Sequence, residues 1–295
     1  MKRIIVILIC FNIVSFSFGQ HISLDDKGSN KYSIKPIPES HIMYQKMMWR
    51  MIDLREKQNQ PFFAQNREVT QIIIDAVKSG KVKAWKNDSL AEGTEITKKA
   101  FLEKLIIPET DNGYDDNETM DFFGDDSFND ETQNFTNDNE SAESIINQNK
   151  KQNVFHYEGK DLWQLEIKEN FIFDKQRSIT VRDIIAMTIV IPADHPDNIK
   201  GIEEVVASFS YKELVENVFS NNPKAIWYNP YNDKEHKSLA DAFELRLFSS
   251  YITKINNPRN ERIVDVYGGD PRKGLEASML EENKLLEFTH NLWSY

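Results

Sequence analysis

The sequence has very little cysteine: Cys10 is the single thiol in 295 residues. One thiol cannot pair within its own chain, so a disulfide-stapled scaffold is excluded. Basic side chains are also in deficit, with 36 Lys and Arg against 47 Asp and Glu and a formal charge of -11 at pH 7. Because phosphate groups repel an acidic protein, this balance argues against DNA, RNA or an anionic membrane as the main partner.

Long apolar runs are missing as well, since a membrane span takes about 20 apolar residues. The one notable run, residues 4–16, follows the basic pair Lys2-Arg3 and precedes small residues at positions 17 and 19. This order is typical of a secretory signal peptide, so we expect residues 1–19 to be removed by cleavage before Gln20. Cys10 lies inside the apolar run, whereas lipidation needs a cysteine at its end, so we expect no lipid anchor.

Lys and Arg are absent between Leu105 and Asn149, a stretch that holds 13 carboxylates. The stretch is rich in Asn and Asp and has no helical or strand periodicity. Calcium loops starting at Asp115 or Asp125 both lack the glycine that an EF-hand needs at its sixth position. We therefore interpret residues 108–153 as a disordered acidic insertion, with weak cation or partner binding as the alternative.

The insertion divides the chain into two parts. Before it, residues 20–40 are expected to be extended and residues 41–107 to be helical. Apolar residues repeat every four positions across 43–52 and predict one helical stripe that continues through residues 53–57. The remaining elements predicted for this part are a helix over 68–77 capped by Gly80, a short strand over 82–85 and a helix over 97–105.

Residues 154–295 predict a mixture of strands and helices, either as a separate unit or as one domain with residues 41–107. Ile184 to Ile191 is almost continuously apolar, which suits a central strand ended by Pro192, with a buried helix as the competing interpretation. The other elements predicted are strands over 162–167, 170–173 and 225–228, helices over 210–219 and 275–293, and a helix capped by Ser238 whose apolar face runs to Ile255. Without a regular βαβ repeat, the predicted fold class is α+β with a small antiparallel or mixed sheet.

Catalytic signatures are missing from the sequence: it contains no GxSxG, Walker, HExxH or dinucleotide-binding motif. The six histidines show no metal-ligand spacing, and the compact cluster of residues 194–197 is typical of a solvated turn. Adjacent glutamates at 203–204 and 281–282 would point in different directions on a helix. We therefore predict no catalytic residue, cofactor or metal, and no enzymatic activity. The alternative is a periplasmic carboxylate-based enzyme acting on glycans or peptidoglycan.

The order of several short motifs resembles the GldN/PorN family. The residues that carry this resemblance are Asp53-Leu54-Arg55-Glu56-Lys57, Asn59, Pro61-Phe62, Asp75-Ala76-Val77, Gly80-Lys81, Leu162-Trp163-Gln164, Phe171-Ile172-Phe173-Asp174-Lys175, Val181-Arg182, Ile226-Trp227-Tyr228, Phe243, Arg246, Phe248, Ser250-Tyr251-Ile252, Lys254, Asn257, Arg262-Ile263, Tyr267, Glu287-Phe288 and Leu292-Trp293. The likeness covers most of residues 49–85 and 154–295, and the acidic insertion lies outside it.

The resemblance implies a structural role in the gliding and type IX protein secretion machinery of Bacteroidetes. Members of this family are ring components of the periplasm that associate with an outer-membrane lipoprotein, GldK/PorK, and meet the periplasmic part of the motor protein GldM/PorM. Since aromatic side chains anchor interfaces, the candidate contact residues are Trp227, Tyr228, Tyr231, Trp293 and Tyr295. Core packing is the alternative role for each of them.

Overall fold

The computed structural model describes residues 32–108 and 155–293. The predicted signal peptide and nearly all of the acidic insertion lie outside the described residues. The helices are α1 (Val69–Lys78), α2 (Lys98–Lys104), α3 (Tyr211–Leu214, continued by a π-helical turn over Val215–Phe219), α4 (Leu239–Glu244), α5 (Ile263–Val266) and α6 (Pro271–Trp293). The strands are β1 (Ile42–Asp53), β2 (Ala84–Trp85), β3 (Glu95–Ile96), β4 (Gln164–Asp174), β5 (Ile179–Ile191), β6 (Glu204–Ser210), β7 (Ile226–Trp227), β8 (Lys237–Ser238) and β9 (Tyr251–Ile255). Short 3-10 turns cover Glu39–His41, Gln60–Phe62 and Gly159–Asp161.

Seven strands form one sheet in the order β3-β2-β6-β5-β4-β1-β9, and β7 and β8 form a separate hairpin. All strand pairs of the described residues are antiparallel. The α+β class is therefore confirmed, and β5 is the central strand of the sheet, as its apolar run predicts. β1 comes from the part before the insertion and pairs with β4 and β9 from the part after it.

The helix predicted over residues 43–52 is wrong: this segment is strand β1. A spacing of four is a multiple of two, so Met47 and Met51 share one face of a strand, while Met48 and Ile52 share the other. All four side chains are buried or half-buried. A strand that is apolar on both faces therefore gives the same four-residue repeat as a helical stripe, and the chain turns after Asp53 instead of continuing as a helix.

Two further boundaries differ from the prediction. The strands expected over 162–167 and 170–173 are a single strand, β4. The helix that begins at Ser238 ends at Glu244, and the residues expected to continue its apolar face form strand β9. The break lies at Arg246, whose backbone has a positive φ of 54°, a conformation that an α-helix does not accommodate.

Several local predictions are confirmed. Helix α1 ends before Gly80, which has a left-handed φ of 73°. Ser238 caps α4 by accepting a hydrogen bond from the Asp241 N–H at 3.1 Å.

Both faces of the sheet are covered. The main core lies on one face, where Ile52, Leu165 and Ile167 pack with α1, α3 and α4. Further along the same face, α6 covers a smaller cluster formed by Met48, Phe171, Ile252 and Leu285. A third cluster, on the opposite face, joins Leu90 to Trp85, Ile185 and Ala186 of the sheet, with Tyr32 of the N-terminal segment packed against them.

Candidate interaction surface

The hairpin β7–β8 holds three of the predicted contact residues in different environments. Trp227 is half-buried, and its ring meets Phe62 edge-on with centroids 6.4 Å apart. The Tyr228 N–H donates to the Pro61 carbonyl at 3.2 Å, and its ring lies 5.6 Å from the Arg67 guanidinium. Tyr231, at the hairpin tip, is 95% exposed. The first two aromatics therefore anchor the hairpin, and Tyr231 is presented to solvent.

Tyr295 and the side chain of Trp293 lie outside the described residues, so their role as contacts stays a prediction. The last turns of α6 can be placed by Phe288, whose ring packs on Tyr44, near the start of β1, with centroids 4.2 Å apart. The hairpin contacts Pro61, beyond the end of β1. At about 3.3 Å per residue, the nine steps from Tyr44 to Asp53 span roughly 30 Å, so the hairpin and the last turns of α6 lie near opposite ends of β1.

Asn59 fixes the loop on which the hairpin rests. It is fully buried, and its side-chain amide donates to the carbonyls of Asp53 at 2.7 Å and Ser249 at 3.0 Å. Its Oδ1 accepts the N–H of Ser249 at 2.8 Å. One side chain thus ties the residues after β1 to those before β9, which explains why an asparagine occurs in the Asn59–Phe62 motif.

A stack of side chains that the sequence did not predict lies beside this loop. The Arg55 guanidinium lies 4.3 Å from the centre of the Trp163 ring, and His195 stacks on Trp163 at 5.1 Å. Tyr157 meets the His195 ring edge-on. Asp53 holds Arg55 from the side, with Arg55 Nη2 and Asp53 Oδ2 2.9 Å apart, and this hydrogen bond is the largest cause of a raised Arg55 pKa. Arg55 and Trp163 belong to the Asp53-Leu54-Arg55 and Leu162-Trp163-Gln164 motifs. The spacing of these motifs in the sequence does not predict that their side chains are in contact.

His195 is therefore a packed residue in the structure, in contrast to the solvated turn that the sequence suggested. It is 6% exposed, and its Nδ1 accepts the Asp197 N–H at 3.1 Å. Among residues 32–108 and 155–293, no group of three or more His, Cys, Asp or Glu side chains is placed to hold a metal ion. The His195 ring is thus held by packing on Trp163 and Tyr157 and by the hydrogen bond to its Nδ1.

The adjacent glutamates each bind a different cation. Glu203 pairs with Arg262, and Glu204 pairs with Lys200 at 3.0 Å. Glu281 lies between two lysines, and Glu282 between two arginines. Burial alone would raise the pKa of Glu281 and Glu282, but the lysines around Glu281 and the arginines around Glu282 outweigh it and lower both pKa values. An acid catalyst needs the opposite shift, because it must be kept protonated near neutral pH.

A groove of about 1120 Å³ contains two carboxylates in its lining. Its apolar lining includes Phe63, Ile74 and Phe155, and its carboxylates are Glu68 and Glu158. Glu68 accepts the Asn66 N–H at 3.0 Å. Lys160 lowers the pKa of Glu158, first through a hydrogen bond and then through its charge. This shift is opposite to the one that a general acid of a glycan hydrolase needs.

The described residues thus build an α+β protein in which Trp227 and Tyr228 anchor a hairpin and Tyr231 is presented to solvent. No described helix has the length and apolar content required to cross a bilayer. The family model of gliding motility associated protein GldN matches residues 37–294. The chain belongs to the GldN family and is a gliding motility associated protein. No curated protein matches the sequence.

Proposed function

We propose that this chain is a non-enzymatic structural subunit of the type IX secretion and gliding machinery. It is exported to the periplasm and lies at the inner face of the outer membrane. There it forms a ring with a lipoprotein of the GldK/PorK type and contacts the periplasmic part of a GldM/PorM-type motor protein. Membership of the GldN family supports a role in this machinery. The proposed partners are those that the resemblance described above implies.

The observation that carries the proposal is the aromatic hairpin. Tyr231 is 95% exposed, and the residues on either side hold its backbone in place: its N–H donates to Asn229 Oδ1 at 3.0 Å. Trp227 and Tyr228 fix the hairpin to residues 61–67. A rigid support reduces the entropy that an exposed aromatic loses on binding, which is why such residues serve as anchors.

A ring also requires two different surfaces on each subunit, because head-to-tail contacts close only when unlike faces match. The hairpin and the end of α6 lie at opposite ends of β1, roughly 30 Å apart. This separation supports a subunit that meets one neighbour through each end.

The test is the affinity of the chain for the soluble part of a GldK/PorK-type lipoprotein. Tyr231→Ala is expected to weaken binding at least about tenfold, as the loss of an interface anchor does. The matched control is Tyr267→Ala, which removes another exposed tyrosine, at the C-terminal end of α5. Unchanged affinity for Tyr231→Ala, or an equal loss for both variants, would contradict the role of the hairpin.

A further inference from the structure

A chain of buried and half-buried charges lies between the main core and the cluster under α6. Arg246 Nη1 is 2.6 Å from Glu169 Oε2, and Glu169 Oε1 is 2.5 Å from Arg50 Nε. Arg50 Nη2 is 2.5 Å from Glu282 Oε2, and Arg182 Nη2 is 3.0 Å from Glu282 Oε1. The Glu169 side chain is fully buried, and that of Arg50 is 3% exposed. These pairs separate two apolar clusters on one face of the sheet.

Helix α6 has little apolar contact with the sheet. Of its described apolar side chains, Ala277 and Leu285 are buried, and Phe288 and Leu292 are half-buried. Four others are 44% to 57% exposed: Leu275, Met279, Leu280 and Leu286. Glu281 and Glu282 add ion pairs with Lys46, Arg50 and Arg182. The helix is thus attached by a few specific polar contacts, which fix its position but add little net stability compared with apolar packing.

The helix also covers the edge of the sheet. Strand β9 is an edge strand of the seven-stranded sheet. An edge strand leaves backbone N–H groups without a strand partner. The Ile252 N–H donates to Ser278 Oγ of α6 at 2.8 Å. Departure of α6 would therefore expose this N–H together with the apolar side chains of Met48, Phe171 and Ile252.

We propose that α6 is a releasable strap, which leaves the sheet as a unit, with the rest of the fold intact, when the contacts of Glu282 are lost. The ion pairs lie between the main core and the apolar cluster under α6. The helix can therefore open locally while the rest of the sheet stays folded. At 23 residues, α6 is long enough to retain helical structure after release. The uncovered β9 edge is the kind of surface to which an extended segment adds as a further strand. This inference concerns the isolated chain and does not depend on the assembly partners.

Native-state hydrogen exchange of the full chain tests the strap. Glu282→Gln keeps the shape of the side chain and removes its charge. Because Glu282 is 30% exposed, we expect about tenfold faster exchange of the Ile252 and Leu285 amides. Exchange at Ile167 and Ile189, in the main core, should stay unchanged. The control is Glu287→Gln, an exposed glutamate of the same helix, which should leave all four amides unchanged.

Two outcomes would overturn the proposal. Unchanged exchange at Ile252 and Leu285 would mean that Glu282 does not hold the helix. A uniform acceleration at all four amides, or a variant that does not fold, would mean that α6 belongs to the global folding unit. The unsubstituted chain gives an independent reading in increasing denaturant. There the Ile252 and Leu285 amides should begin to exchange well before the Ile167 and Ile189 amides, and a common onset would also contradict the strap.

Discussion

At the scale of single residues, buried polar groups in this protein follow two patterns. Both polar side-chain atoms of Asn59, and both carboxylate oxygens of Glu169, have hydrogen-bond partners. Tyr211 is 3% exposed, and among the described residues its hydroxyl has no hydrogen-bond partner. Burial is the largest cause of its raised pKa, because the phenolate would lose hydration that nothing replaces.

Tyr211→Phe tests this burial. A raised pKa in the folded state means that the contribution to stability is present below the unfolded-state value, about pH 10, and is lost as the pH rises above it. At pH 7 we expect the free energy of unfolding of the variant to lie within about 1 kcal/mol of the original, since no described hydrogen bond is removed. Between pH 7 and pH 11, the free energy of unfolding of the original chain should fall by about 1 kcal/mol more than that of the variant.

Urea unfolding at the two pH values provides the measurement. Tyr231→Phe is the control, because it removes the hydroxyl of a tyrosine that is 95% exposed. Equal losses for Tyr211→Phe and the original chain would show that the Tyr211 hydroxyl is hydrated in the folded state.

The sequence identified the aromatic residues of the hairpin but not their separate roles. Trp227 and Tyr228 are held by residues 61–67, more than 150 positions earlier in the chain. Such contacts depend on the sheet that brings β1 and the hairpin together, and no local pattern encodes them. For the same reason the stack of Arg55, Trp163 and His195 was not predictable, although two of its three residues belong to motifs that were recognised.

At the scale of elements, the main error was β1, and the sheet explains it. Strands buried on both faces lack the alternation that identifies a half-buried strand. Met43 to Ile52 therefore satisfies a helical repeat as well as a strand repeat. Helix α1 was predictable because its pattern fits one period only and a glycine ends it.

A pair of lysine substitutions tests how the burial of β1 changes along its length. Met43 and Met51 are eight residues apart, so they lie on the same face of the strand and differ only in their position along it. In the strand, Met51 is 1% exposed and Met43 is 59% exposed. We expect Met51→Lys to lower the free energy of unfolding by about 3 kcal/mol or more, because it buries an ammonium group, and Met43→Lys to change it by about 0.5 kcal/mol or less.

Thermal or denaturant unfolding of the two variants gives the comparison. A similar effect of both substitutions would be inconsistent with β1 as a strand buried over its second half.

The helix predicted through residues 238–255 failed for a tertiary reason. Apolar residues do recur at helical spacing there, but the chain turns at Arg246, and its guanidinium binds the buried Glu169. The ion pair links β4 to the turn and leaves the following residues free to pair with β1 as β9. Local periodicity carries no information on a partner that lies 77 positions away.

At the scale of the whole molecule, the antiparallel sheet joins the parts of the chain on either side of the acidic stretch. It also places the hairpin and the last turns of α6 near opposite ends of β1. The fold class could be predicted from the mixture of patterns, whereas the strand order could not, since β1 and β9 pair across 200 positions. The proposed function also belongs to this scale, since we propose that the protein acts by binding neighbours at both ends of β1.

The most direct measurement is the mass of the particles formed when the chain beginning at Gln20 is mixed with the soluble part of a GldK/PorK-type lipoprotein. Analytical ultracentrifugation combined with electron microscopy gives both the mass and the shape. If the two proteins form a ring, we expect large, closed particles that contain both of them in a constant ratio. A chain that stays monomeric and does not associate with the lipoprotein at any concentration tested would contradict it.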